Sequence, residues 1–230
     1  MPVALNRRTI LAQSAAVLAL AACGVPFAAQ AQTKRAAPAP TAAAPLTPQD
    51  REDLARAEQY LNGITTLEAQ FLQVAERGAA LSGQFYIKRP GKLRFQYDPP
   101  ARIQIVADGS QVTYYDADSD QISQLPTGLT VAKFLVAQKI SLSGDLIVTR
   151  VERDAALLQI TAVQARAPTE GQVVLTFGDK PLQLRRWTVI DGRNRAISIT
   201  LTNLKTGGAL KDDLFVFNDP DPNRAGRFRP

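Results

Sequence analysis

From about residue 67 onward, apolar and polar positions alternate one by one along most of the chain. That is the pattern of antiparallel strands with one buried and one solvated face. It is clearest from Gly83 to Pro100, where Phe85 and Ile87 share one face of a first strand. Leu93, Phe95 and Tyr97 share one face of a second. Arg89-Pro90-Gly91 supplies the turn between them, because proline fixes φ and glycine accepts positive φ. The alternation predicts strands near 67–76, 82–89, 92–98, 102–108, 111–116 and 120–125. It resumes near 145–152, 156–163, 171–178, 182–190 and 195–203, with a final short strand from Leu214 to Phe217. Asp108-Gly109 is a hairpin signal.

Two segments break the alternation. Thr47-Pro48-Gln49-Asp50 opens a helix, with Thr47 as N-cap, Pro48 at the first helical position and Asp50 able to close a capping box. Leu54, Ala57, Leu61 and Ile64 form its apolar stripe, and Gly63 is its stop. Residues 131–138 (VAKFLVAQ) lack period-two alternation and predict a short helix, with Phe134, Leu135 and Ala137 on its apolar face. Roughly eleven strands without βαβ alternation make the chain mainly β with a few helices. The expected architecture is a single curved antiparallel sheet, or unclosed β-barrel, with the N-terminal helix packed inside and a short lid helix.

The N-terminus reads as an export signal. Arg7 and Arg8 precede an apolar run from Thr9 to Ala22 that is too short to span a membrane. Two processing sites compete there. Ala29-Gln30-Ala31 is a small-x-small site, giving a signal peptide over 1–31. Leu20-Ala21-Ala22-Cys23 has the form of a lipobox, in which Cys23 would be lipidated. Arg7-Arg8 fits twin-arginine export and an ordinary basic leader alike. Residues 32–46 are an Ala/Pro tether, 47–218 the folded domain, and 219–230 a flexible tail. Cys23 is the only cysteine, so no intramolecular disulfide can form. A chain without Arg7 and Arg8 carries 25 basic and 21 acidic residues, a net charge of +4. Such a mildly basic surface suits anionic lipid head groups but is also ordinary for a soluble protein. No basic run is interleaved with aromatics, so nucleic acid is not expected as a partner.

Catalysis finds no support. The chain has no histidine, hence no histidine base and no histidine metal ligand. Asp116-Ala-Asp118-Ser-Asp120 has the opening of a calcium loop but carries Gln121 at its sixth position and Thr127 at its twelfth. It reads as a polar hairpin tip, and neither a metal nor another cofactor is expected. The strand aromatics and aliphatics are core by default, yet some could line a cavity for hydrocarbon. Phe85, Ile87, Leu93, Phe95, Tyr97, Tyr114 and Trp187 are the candidates. Arg89 stands out because it continues the Phe85, Ile87 face. A cation there needs partners, and carbonyls at a helix end or in a lid segment would satisfy its donors, although the spacing alone fits an exposed turn arginine at least as well.

Several of these stretches resemble the periplasmic outer-membrane lipoprotein carrier family LolA. They are Phe71 with Gln73, Gly83 to Pro90 ending in Ile-Lys-Arg-Pro, and Leu93-Arg94-Phe95-Gln96-Tyr97 with Pro100. Ile105 to Gly109 with Tyr114 and Tyr115, Trp187 to Gly192 and Ile197 to Asn203 continue the likeness. The resemblance implies an unclosed, eleven-stranded barrel lidded by helices, with lipoprotein acyl chains held between barrel and lid. It implies that Arg89 bonds the lid when closed and is needed for carrier cycling. Residues 131–138 would be the lid, with Phe134 and Leu135 as its contacts. The partners implied are acylated lipoproteins, an inner-membrane lipoprotein-releasing ABC transporter and an outer-membrane lipoprotein acceptor, and a monomer is expected. The lipobox at Cys23 leaves open a membrane-anchored acceptor or lipid-binding lipoprotein like the related LolB. An acyl-sensing regulator of the same fold is a third reading.

Overall fold

The computed structural model describes residues 45–76, 78, 80–130 and 132–219. The export signal, Cys23, nearly all of the 32–46 tether and the tail after Asp219 lie outside the described residues. Eleven strands run in the order β6-β5-β4-β3-β2-β1-β11-β10-β9-β8-β7 in one antiparallel sheet. The order has two ends, so the sheet is unclosed, and the mainly-β expectation with an N-terminal and a short second helix holds. The strands are β1 (Thr66–Ala75), β2 (Leu81–Lys88), β3 (Lys92–Tyr97), β4 (Ile103–Asp108), β5 (Gln111–Asp116) and β6 (Gln121–Pro126). They continue as β7 (Leu146–Asp154), β8 (Leu157–Gln164), β9 (Gly171–Asp179), β10 (Leu182–Asp191) and β11 (Ala196–Thr206). Among the described residues the α-helices are α1 (Pro48–Gly63) and α2 (Ala132–Val136). One expectation fails. The strand from Leu214 to Phe217 is replaced by a 3-10 turn at Asp212–Phe215, where the Leu214 carbonyl accepts from Arg94 and the Asp213 carbonyl from Val216 N–H rather than from a neighbouring strand.

The chain divides into two compact units. The first holds the segment ending at Gly63, residues 71–81 and residues 139–202. Helix α1 begins as its sequence dictates. Asp50 N–H donates to Thr47 Oγ1 at 3.1 Å and Thr47 N–H donates to Asp50 Oδ2 at 2.8 Å, closing the capping box. Its buried side chains are Asp53, Ala57 and Leu61, spaced by four. Leu54 is only half-buried, so the buried stripe is turned by about one position from the expected one. Tyr60 meets Phe177 edge to face, ring centroids 6.1 Å apart. On the sheet, register sets Leu158 opposite Phe177 and Trp187 opposite Ile199, all four buried.

The second unit holds residues 64–70, 82–138 and 203–219. Cross-strand register builds one face of it in rows. Phe85 lies opposite Phe95, Phe95 opposite Ile105, and Ile105 opposite Tyr114. Ile87, Leu93, Ala107 and Val112 form the next row. Every one of these side chains is buried. The opposite face carries its own small core, because Val106, Tyr115 and Phe215 are buried as well.

Candidate functional site

The apolar rows of β2 to β5 and the helix α2 lying on β3 are the site's two parts. Of the seven residues expected to line a hydrocarbon cavity, the second unit brings together Phe85, Ile87, Leu93, Phe95, Tyr97 and Tyr114 on one face. Trp187 lies on β10 in the first unit. Phe85 and Phe95 stack with centroids 4.3 Å apart. Gly83 lies opposite Tyr97. Burial pushes the Tyr97 phenol well up and raises Tyr114 to about 12, so both phenols stay neutral near neutral pH. A separate groove of about 430 Å³ in this unit is lined by Glu68, Gln84, Asn203 and Lys205 among others, and such walls suit polar groups rather than hydrocarbon.

Helix α2 has five residues, too few to be stable alone. Its last carbonyls lack partners within the helix, as at every helix end. The β2–β3 turn supplies them. Arg89 Nε donates to the Leu135 carbonyl at 2.9 Å, and Gly91 N–H donates to the Val136 carbonyl at 2.8 Å. A second arm of the guanidinium, Nη1, donates to the Ile64 carbonyl at 2.8 Å, while Arg89 N–H donates to Thr65. The fork geometry of arginine allows this double use, which the single point charge of lysine would not reproduce. Burial holds the Arg89 guanidinium below its ordinary value, but it remains a cation at neutral pH.

Glycine is required at residue 91. Its φ is +86°, and a Cβ there would lie 2.8 Å from the Gly109 Cα. Phe134 and Leu135 are half-buried, whereas Ala132 and Val136 are the buried residues of α2. Lys133 sits over the Phe134 ring, 4.6 Å from its centroid. Leu135 joins the site through its backbone carbonyl, a role its side chain gives no hint of.

Three groups of residues went unnoticed in the sequence. In the first unit, Asp53 is 2% exposed and receives hydrogen bonds from Arg56 and Arg153. Its spacing of four from Ala57 was the available signal. In the same unit, Asn62 clasps the backbone of Ile140 through both amide atoms, at 2.7 and 2.9 Å, and Glu58 accepts from Leu142 N–H at 2.6 Å. In the second unit, Lys88 and Lys92 hold the Asp212 carboxylate at 3.0 and 2.6 Å, and Arg94 donates to the Leu214 carbonyl. The Asp116 turn uses its carboxylate on its own chain, accepting from Asp118 N–H and Ser119 Oγ.

The sequence matches, over residues 62–218, the family model described as outer membrane lipoprotein carrier protein LolA. An outer-membrane lipoprotein carrier protein of Methylococcus capsulatus is 29% identical over 202 residues, covering 84% of this chain and 88% of that protein. One from Legionella pneumophila is 28% identical over 173 residues, covering 71% of this chain and 84% of that protein. An uncharacterised protein of Rickettsia prowazekii is 25% identical over 168 residues, covering 73% and 78%.

Proposed function

The chain belongs to the LolA family of outer-membrane lipoprotein carrier proteins, and from that premise we infer that it is a non-enzymatic periplasmic carrier for acylated lipoproteins. The observation that carries this reading is the pairing of a buried apolar sheet face with a short helix whose end is held against the β2–β3 turn by Arg89. In the cycle inferred here, the Arg89 bonds keep α2 down while the carrier is empty, and acyl chains displace α2 to reach the face.

Magnitudes favour such an exchange. A chain of about sixteen carbons gains roughly 13 kcal/mol on full burial, at ~0.8 kcal/mol per CH₂. Releasing hydrogen bonds to a charged group costs about 1.5–3 kcal/mol each, and uncovering the apolar face costs more. The difference leaves net binding weaker than hydrocarbon burial alone would give, which permits onward transfer. On this reading an inner-membrane ABC transporter loads the carrier and an outer-membrane acceptor unloads it. The residues that would take the chains are Phe85, Ile87, Leu93, Phe95, Tyr97 and Tyr114, all in the second unit.

The test is direct. Purified protein is mixed with a fluorescent diacylglyceryl-cysteine peptide and with the same peptide lacking its acyl chains. Saturable binding of the acylated form alone is expected, and equal or absent binding of both would end the carrier reading. The Leu20-Ala21-Ala22-Cys23 sequence favours a second reading, a membrane-anchored acceptor. Mass spectrometry of the mature N-terminus separates the two. A chain starting at Gln32 supports the shuttle, and an acylated Cys23 supports the anchor.

A further inference from the structure

The outer face of the first unit carries an arginine pair with no part in the site above. Between Leu184 and Arg186 the register of β10 against β9 slips, so Leu184 faces Phe177 while Arg186 faces Thr176. Arg185 is the extra residue of this β-bulge. Bulges re-aim side chains, and here two exposed guanidinium groups stand side by side. Glycine at 178 makes room for the first. A Cβ there would come within 3.3 Å of Arg185 Nε, so the arginine stem lies over the β9 backbone. The second is oriented by its neighbour, since Arg186 Nε donates to Thr200 Oγ1 at 3.0 Å and leaves its terminal nitrogens free to turn outward.

Around the pair the face is rich in hydroxyls. Thr188 and Ser198 bond each other at 2.8 Å in the next row. Neither arginine has a carboxylate partner among the described residues. Asp179, at the end of β9, is held by Arg56 at 2.8 Å. Along the Arg186 row the first acid is Glu152, three strands away and beside Arg150. Strand β1, two strands from β10 in the sheet order, adds Leu72 and Val74. Each is 43% exposed on the face opposite the buried Phe71 and Gln73.

We propose that this outer face docks the protein on the surface of an anionic phospholipid bilayer. Arg185 and Arg186 would take lipid phosphates through their forked N–H groups, with Thr200 and Thr176 as flanking hydroxyls. Leu72 and Val74 would rest in the interfacial layer beside them. An open, strand-built face has no walls to enclose a single free phosphate, but it matches an array of phosphates in a plane. Exposed aliphatics next to the cations favour a bilayer over an acidic protein surface. The inference does not depend on the carrier reading, because its residues all belong to the first unit and none to the site above.

Sedimentation of the full-length chain with vesicles tests it. Vesicles of phosphatidylcholine containing phosphatidylglycerol are compared with vesicles of phosphatidylcholine alone. Binding to the anionic vesicles is expected and should fade at high salt. The Arg185→Gln/Arg186→Gln variant should bind them about 25-fold more weakly, at roughly fivefold per arginine near an anionic surface. Leu72→Gln/Val74→Thr should weaken binding in both salt regimes. Arg166→Gln/Arg193→Gln removes equal charge from two turns and should stay within about threefold of wild type. An unchanged thermal midpoint guards against misfolding. The proposal fails if wild type does not prefer anionic vesicles, or if the control pair loses as much as the bulge pair. A response to inorganic phosphate alone, without vesicle binding, would also overturn it.

Discussion

Arg89 Nε donates to the carbonyl oxygen of Leu135 at 2.9 Å, so a side chain rather than a strand joins the β2–β3 turn to the end of α2. Arg89→Leu keeps the apolar stem of the residue and removes every side-chain donor. The carbonyls of Leu135 and Ile64 would turn to water, and α2 would lose its hold while the sheet keeps its register. The expected outcome is a folded protein in which hydrogen exchange at Gly91 N–H speeds up by about tenfold or more, one charge-assisted bond being worth ~1.5–3 kcal/mol. If the Arg89 bonds oppose opening, the variant also holds acylated peptide more tightly and releases it to acceptor vesicles about ten- to a hundredfold more slowly. Exchange and release rates equal to wild type would remove Arg89 from the gate.

Asp53 is the buried anchor of α1, and Arg56 and Arg153 reach it from partly exposed positions. Because Arg153 also serves Asp50, at 2.7 Å, it ties two turns of the helix to β7. Arg153→Met should therefore destabilise more than Arg56→Met. Solvent around the arginines trims the ion-pair contribution, so a loss of about 1–2 kcal/mol is expected for Arg153→Met. Urea unfolding of the two variants measures the order, and equal midpoints would show that the helix is held by apolar burial alone.

Strand existence and the face of each strand were legible in the sequence because a period of two leaves little freedom. Phe85 and Ile87 could share a face with Leu93 and Phe95 only in the register now seen, once Arg89-Pro90-Gly91 formed the turn. The capping box at Thr47 and Asp50 was equally readable, being local. What resisted reading was set by distant partners. Phe215 and Phe217 alternate as in a strand, yet Lys88, Lys92 and Arg94 from 120 or more residues earlier hold that segment as a turn and short run. The α2 side chains suggested apolar contacts, while its polar links run through the Leu135 and Val136 carbonyls, which no sequence pattern encodes.

The two lysines around Asp212 hold its carboxyl down to about 2, through hydrogen bonds from Lys92 and then Lys88. Its folded value thus lies below the ordinary carboxylate range. The sign follows from linkage. The stabilising contribution is present above pH 4 and is lost as pH falls from about 4 through 2. Lys88→Met/Lys92→Met should return the Asp212 midpoint toward the ordinary range, followed by the carboxyl carbon shift in an NMR titration. A midpoint that stays low in the variant would mean that other groups hold the charge.

Phe215 is 1% exposed although it belongs to a surface segment that follows Gly207 and Gly208. Around it the segment is fastened by polar contacts from the sheet, with Lys88 Nζ also donating to the Leu210 carbonyl at 2.9 Å. Phe217 adds a tilted ring contact with Tyr115, centroids 5.5 Å apart. The polar fastenings are partly wet and contribute little each. Burial of the Phe215 ring must then supply most of the segment's hold. Phe215→Ala should cost about 3–5 kcal/mol by loss of transfer energy and creation of a cavity. Because the ring pins one segment, the loss should show first as local release. Limited proteolysis should cut between 207 and 217 in the variant well below the urea midpoint, while Asp212→Asn leaves the segment resistant. Cleavage in Asp212→Asn and resistance in Phe215→Ala would reverse the assignment and make the ionic contacts the true fastening.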